Sequence, residues 1–189
     1  FCAGALPLIV YNANNQWETF NGNFQRDIAS VPRKAAFLVH SATGSGLFNW
    51  LTAHIEGAHV LDVFTGSGAL FFEALSRGAS KGLALDNNGA AVASLKQNLA
   101  LLNCTTGQIA QTDALRHLET APAEAFDVIF LDPPFHPGLL ASACTLLESH
   151  GWLKDNAWIY TESETPPSTT GLPGNWRLHR EKKAGQVYY

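Results

Sequence analysis

HVLDVFTGSGALFFEALSRG, residues 59–78, runs from an apolar, β-branched stretch through a glycine-rich turn into a helical pattern. Residues 59–64 read as a strand and Thr65, Gly66, Ser67 and Gly68 as the turn. Residues 69–77 read as a helix ended by Gly78. Glycine lets backbone approach a ligand closely, and the first turn of a helix offers oriented N–H donors. In the dinucleotide fingerprint GxGxxG the third glycine would fall where this chain carries Phe71, a side chain too bulky for close approach to a pyrophosphate. A smaller nucleoside cofactor is favoured over a nicotinamide dinucleotide, and hydride transfer becomes a distant reading.

Working outward, short β-branched runs keep alternating with helical patterns, the signature of a parallel sheet covered by helices. Strands are expected at residues 82–86, 108–111, 127–131 and 158–161. Helices are expected up to Leu102 from a cap at Asn87 or Asn88, then at 114–119 and 139–149. Two last strands, at 176–181 and 186–189, would flank Ala184 and Gly185 as an antiparallel hairpin. Residues 1–46 contain asparagine-rich stretches and read as a small β-rich appendage, which leaves 47–189 as the main α/β domain.

With 189 residues, 46% of them hydrophobic, the chain can build one continuous core. No apolar run is long enough to cross a bilayer and no signal-peptide pattern opens the chain, so a soluble, cytoplasmic protein is expected. The absence of methionine places the expected native start upstream of Phe1. Cys2, Cys104 and Cys144 are widely spaced, so neither a disulfide framework nor a zinc site is expected. The seven histidines show no metal-ligand spacing either. The net charge of -4 offers no global attraction to a polyanion, but Arg177, Arg180, Lys182 and Lys183 cluster near the C-terminus as a candidate phosphate-contacting patch. A merely solvated edge strand explains that cluster equally well.

Asp86 closes the second strand roughly twenty residues beyond the glycine turn, where an acid can accept both ribose hydroxyls of a nucleoside. A helix cap is the plainer role open to it. Asp113 follows the third strand and can accept from an adenine amino group, cap the helix beginning at Ala114, or do both.

The most specific motif is Asp132-Pro133-Pro134-Phe135, at the end of the apolar run ending in Leu131. An exocyclic amine on a purine is a poor nucleophile because its lone pair is delocalised into the ring. Acceptors aimed at its two N–H groups favour pyramidalisation and direct the lone pair at an electrophilic methyl group. The Asp132 carboxylate and the Pro133 carbonyl are two such acceptors, and consecutive prolines stiffen the backbone that aims them. Phe135 offers a face on which an extruded base can stack. These residues alone leave adenine and guanine, DNA and RNA, undecided.

LDVFTGSGALFFEALSRGA (61–79), VIFLDPPF (128–135), GWLKDNAWIYTESE (151–164) and NWRLHREKKAGQVYY (175–189) closely resemble the RsmD family of bacterial 16S ribosomal RNA guanine-N2 methyltransferases. The resemblance implies a Rossmann-like class I methyltransferase fold with a mostly parallel, seven-stranded sheet and a C-terminal antiparallel hairpin. It implies S-adenosylmethionine as methyl donor and guanine N2 of 16S rRNA, free or in the assembling small subunit, as acceptor; a monomer is expected. Asp62, Phe64, Thr65, Gly66, Ser67, Gly68, Asp86, Asn87, Asp113 and Ala114 would then hold the cofactor, and Asp132, Pro133, Pro134 and Phe135 the target base. The family's basic segment ahead of Leu47-Phe48-Asn49 is replaced here by SATGSG (41–46), and Phe71 and Phe72 stand where smaller residues are usual. Two alternatives accompany the main reading: a DNA adenine-N6 methyltransferase, because the Asp132–Phe135 motif serves any exocyclic amine, and a catalytically silent domain that binds RNA or cofactor, because of the altered segment at 41–46.

Overall fold

The computed structural model describes residues 53–134, 136–166, 171–181 and 187–188, and the backbone alone of 8–11, 17–20 and 183–184. Strands β1 (Leu8–Tyr11) and β2 (Trp17–Phe20) pair antiparallel as a ladder of their own, with Leu8 opposite Phe20. The remainder of the expected appendage lies outside the described residues.

The main sheet has five parallel strands, β3 (His59–Asp62), β4 (Lys81–Asp86), β5 (Gly107–Gln111), β6 (Phe126–Leu131) and β7 (Leu153–Thr161), in the spatial order β5-β4-β3-β6-β7. Successive residues point to opposite faces, and both faces are covered. Val60, Val128, Phe130 and Tyr160 pack on one face against α1 (Ala69–Ser76), with Leu99 of α2 (Gly89–Leu101) at its edge. Leu61, Leu85, Ile129 and Leu131 pack on the other against α3 (Ala114–Leu118) and α4 (Leu139–Ser149). This double burial is why the strands read as unbroken apolar runs.

Phe71 shows how the sequence tunes that packing. Its ring lies over the backbone of Gly82 and Gly107, where an added Cβ would stand 2.7 Å and 3.2 Å from ring atoms. A large side chain on α1 is thus matched by missing side chains on β4 and β5. Trp152, 2% exposed, anchors the opposite layer, and its indole donates to the carbonyls of Leu118 at 3.0 Å and Thr120 at 2.9 Å. Trp152→Phe is expected to cost about 1–3 kcal/mol, because a buried carbonyl loses its donor, and urea unfolding monitored by circular dichroism measures it.

Several element boundaries differ from expectation. β3 stops at Asp62, because Val63 still donates to Phe130 of β6 while Thr65 turns to donate to Leu85 of β4. The chain leaves one neighbour for the other within two residues. β7 starts at Leu153 and not near residue 158: its polar Asp155 and Asn156 are absorbed by a register shift opposite β6, with Asn156 at a φ of 63°. Residues 176–180 form no strand; side chains hold this segment instead, the Trp176 indole donating to Glu148 of α4 at 2.8 Å and the His179 ring meeting Trp158 edge-on at 5.2 Å.

The described sheet therefore has five strands where seven were expected. Beyond them, β8 (Lys183–Ala184) pairs antiparallel with β9 (Val187–Tyr188), and a single bridge joins Tyr188 to Ser163 just past β7.

The amino ends of the strands are tied by charge. Lys81 bonds Glu124 at 2.7 Å, His59 Nδ1 lies 3.3 Å from the same carboxylate, and Lys154 bonds Asp127 at 2.7 Å. Burial works to raise the Asp127 carboxyl, but the His59 N–H and the Lys154 ammonium together hold it below the usual carboxylate range. Such exposed pairs are screened by solvent, so they fix register more than they stabilise. Cys144 is buried and its thiol is pushed up to about 12 by that burial, leaving it inert. Among the described residues no helix is long and apolar enough to cross a membrane.

Candidate active site

In an open parallel sheet, ligands bind beyond the carboxyl ends of the strands where the strand order reverses. Here the chain runs outward from β3 to β4 and β5, then returns to place β6 on the other side of β3. The reversal opens between the loop after β3, which carries the glycine turn, and the loop after β6, which carries Asp132, Pro133 and Pro134. The two sequence motifs thus meet at one crevice although Asp132 lies 64 positions beyond Gly68.

The glycine turn is held from three sides. Thr65 is buried and donates its hydroxyl to the Asp62 carbonyl at 3.0 Å; the Gly68 N–H closes the turn onto the Thr65 carbonyl at 2.8 Å. Gly66 donates to Asp86 Oδ2 at 2.9 Å, while Asp86 Oδ1 accepts from Asn88 at 2.7 Å. Asp86 therefore staples the turn to the end of β4. Gly68, at a φ of 81°, is buried against Phe72 and Leu95: an added Cβ would overlap Leu95 and stand 2.8 Å from the Phe72 ring. Phe72, one of the two phenylalanines foreign to the usual pattern, is the floor under the turn.

Gly68→Ala is expected to cost about 1–3 kcal/mol in overpacking and roughly another 1 kcal/mol from the left-handed backbone. A thermal melt of the variant against the wild type tests this.

Asp62 is 2% exposed at the end of β3. Burial, then the charges of Asp132 and Asp86, push its carboxyl up from 3.8 to about 8, against hydrogen bonds from the Phe64 and Phe71 N–H groups. The Asp62 carbonyl and the Asp86 carboxylate both hold the glycine turn, and Asp132 follows the strand that pairs directly with β3. Asp113, by contrast, is exposed beyond β5 and caps α3, accepting from the Arg116 N–H at 2.9 Å. It shares the rim of the crevice, two strands from Asp62, without touching the glycine turn. Asn88, not Asn87, caps α2, accepting from Ala90 and Ala91; Asn87 is exposed at the bend. Phe64 packs into the core face beside α3, and Ser67 and Ala114 are half-buried at the rim.

On the β6 side, Asp132 is half-buried, Pro133 buried and Pro134 exposed. The loop continues with the His136 N–H donating to the Pro134 carbonyl at 2.7 Å before Gly138 opens α4. Phe135 lies outside the described residues.

One residue escaped the sequence reading. Glu162, 5% exposed, follows β7, donates its N–H to the Leu131 carbonyl at 2.8 Å and accepts from the buried Tyr160 hydroxyl at 2.9 Å. Each of the five strands thus ends on, or just before, one acid: Asp113, Asp86, Asp62, Asp132 and Glu162. Four of the five loops lead into helix N-termini, whose dipoles favour negative charge. The repeating position of an acid at a strand end was the available signal, hidden at Glu162 by the surrounding acids and threonines. Among the described residues no group of three or more His, Cys, Asp or Glu is arranged to hold a metal.

The donor set suits a nucleoside-bearing cation. Asp86 and Asp113 each retain acceptor capacity beyond their backbone bonds, because a carboxylate accepts at about four positions. Gly66 is exposed and an added Cβ there would meet nothing closer than 4.0 Å, so it presents bare backbone beside Asp86.

A family model described as conserved hypothetical protein 95 matches residues 40–189. Among curated proteins, the chain is 44% identical over 143 residues to the ribosomal RNA small subunit methyltransferase D of Escherichia coli, covering 76% of this chain and 72% of that one. It is 34% identical to a protein described as an rRNA methyltransferase in Bacillus subtilis, covering 74% and 77%. Among solved structures, a methyltransferase from Escherichia coli superposes with a TM-score of 0.72 at 40% identity, covering 84% of this chain and 86% of that one. A methylase from Haemophilus influenzae gives 0.70 at 42%, covering 75% and 89%. The fold is accordingly the Rossmann-like methyltransferase fold, and the chain belongs to the conserved hypothetical protein 95 family, the RsmD family its motifs resemble.

Proposed function

We propose that this chain transfers a methyl group from S-adenosylmethionine to the exocyclic N2 amine of a guanine in 16S ribosomal RNA. The observation that carries the reading is that the Asp132-Pro133 loop and the glycine turn leave adjacent, directly paired strands at the strand-order reversal. It sets a nucleoside pocket and a pair of amine acceptors side by side. Bound there, the cofactor supplies an electrophilic methyl on a sulfonium.

The chain's own residues do the rest. Asp86 accepts the ribose hydroxyls while it holds the Gly66 N–H, Asp113 accepts at the adenine edge, and Asp62 sets the charge beneath the glycine turn. Asn87 and Ala114 flank the two acids, and Phe64, Thr65, Ser67 and Gly68 shape the wall. Asp132 and the Pro133 carbonyl accept the two N–H bonds of the target amine, aim its lone pair and disperse the positive charge that develops on nitrogen. Pro134 stiffens the loop and Phe135 stacks on the base.

The relatives named as rRNA methyltransferases support RNA over duplex DNA. In the same reading the substrate is the small subunit or its RNA, the chain acts as a monomer in the cytoplasm, and 47–189 form the catalytic domain. β8 and β9 continue the sheet past β7 through the Ser163–Tyr188 bridge to complete seven strands.

The test is incubation with labelled cofactor and small-subunit particles lacking the modification, followed by nucleoside analysis. Labelled N2-methylguanosine is the expected product; equal labelling of adenine in duplex DNA, or cofactor binding without product on any rRNA form, would overturn the proposal. Asp86→Ala is expected to weaken cofactor binding about tenfold or more, through loss of charge-assisted ribose bonds of about 1.5–3 kcal/mol together with the Gly66 staple. Isothermal titration reads that loss directly.

A further inference from the structure

Asp86, Asp113 and Asp132, none of them buried, put carboxylates at the mouth of the crevice, yet the proposed substrate is a polyanion. The phosphate contacts must come from elsewhere. Of the basic side chains described, Arg77, Lys81 and Lys154 are committed to Glu73, Glu124 and Asp127. Lys96, Arg116, Arg177 and Arg180 are exposed and form no ion pair with a described residue; Lys96 and Arg116 stand singly on α2 and α3, whereas Arg177 and Arg180 stand three positions apart in one irregular segment.

That segment is pinned at both ends. Asn175 and the Trp176 indole donate to the two oxygens of Glu148 at 2.6 Å and 2.8 Å. Three residues on, the His179 ring meets Trp158, whose other neighbour is the His54 ring at 4.5 Å. The chain is thus tied to α4 on one side and to β7 on the other, with Arg177 and Leu178 between the ties. Leu178 is 63% exposed, an apolar side chain between Arg177 and Arg180 in the same segment. Residues 176–180 form no strand, and the side chains of Asn175, Trp176 and His179 attach the segment.

We propose that residues 176–181 are a strap that holds the phosphate backbone of the substrate RNA, with Arg177 and Arg180 on phosphates and Leu178 against a ribose or base. The inference rests on the proposed RNA methyltransferase function. Guanidiniums pair with phosphate oxygens in a fork, and each contact made releases a condensed counterion.

The experiment measures binding of the full chain to a transcript of small-subunit rRNA by fluorescence anisotropy across a salt series, together with methylation kinetics. Arg177→Gln/Arg180→Gln is expected to weaken binding roughly tenfold near physiological salt and to flatten the log-log salt slope by about 0.7–0.9 per lost contact. KM for RNA should rise with kcat unchanged, and the melting temperature should not move. Lys96→Gln removes an exposed charge from α2 and should change neither slope nor KM. If the double variant binds and methylates as the wild type does, or if Lys96→Gln has an effect equal to that of Arg177→Gln, the strap is overturned and the methyltransferase reading stands. If the wild type binds no rRNA at any salt, the functional reading falls and the strap with it.

Discussion

Asp132→Ala is expected to lower kcat for methyl transfer by about 100-fold or more while leaving the fold and cofactor binding close to those of the wild type. Removing one preorganised polar partner of a developing charge typically costs about 10²–10³ in rate, and Asp132 would be the only anionic acceptor on the target amine. The loss should fall in kcat more than in KM, because the charge on the amine nitrogen develops only as the methyl group moves. Asp132→Asn discriminates further. It keeps an acceptor oxygen but loses the charge, so it should retain more activity than alanine and less than wild type. Wild-type turnover by Asp132→Ala on small-subunit particles would remove Asp132 from the chemistry.

The same variant has a consequence in the apo protein. The charge of Asp132 is the second cause, after burial, that raises the Asp62 carboxyl. Asp132→Ala should therefore lower the pH at which Asp62 ionises, even though the two residues sit on different strands. A purely structural Asp132 facing away from the crevice would leave that titration unmoved.

Much of this architecture was legible because it is local. The strand, glycine turn and helix of 59–78 are a contiguous pattern, and the alternation that follows it allows little but a parallel sheet with helices on both faces. The cap at Asn88, the end of α4 at Ser149 and the buried Trp152 followed the same way. What stayed hidden depends on contacts between distant segments. β3 is short because of a carbonyl on β4 and another on β6; β7 is long because a bulge tolerates Asn156 at positive φ. The C-terminal segment carries strand-like alternation but is captured by Glu148 and Trp158, neither of which its own sequence announces. Glu162 became visible as part of the site only when its strand was seated beside β6. The pairing of Phe71 with Gly82 and Gly107 explains why a bulky residue is accepted in the helix, which the glycine fingerprint alone could not.

The folded chain should lose stability with rising pH through neutrality because of Asp62. In the unfolded chain this carboxyl loses its proton near its ordinary value of 3.8, whereas in the folded protein it keeps it up to about 8. Between those values the folded state binds more protons, so the free energy of unfolding falls as pH rises, by about 1.4 kcal/mol per pH unit from this group alone. The contribution is fully present below pH 3.8 and gone above pH 8. Asp62→Asn keeps an oxygen for the Phe64 and Phe71 N–H groups and cannot ionise, so its unfolding free energy should lack this slope and exceed that of the wild type at pH 8. Urea unfolding of both proteins at pH 6, 7 and 8 measures the difference; parallel pH dependences would mean that Asp62 ionises normally. A cation seated over the glycine turn offsets the cost of a buried carboxylate, so uptake of S-adenosylmethionine at pH 7 should expel the Asp62 proton. Its demethylated product carries an uncharged thioether in place of the sulfonium and should expel much less. Isothermal titration in buffers of different ionisation enthalpy separates the two ligands, and the difference should vanish in Asp62→Asn.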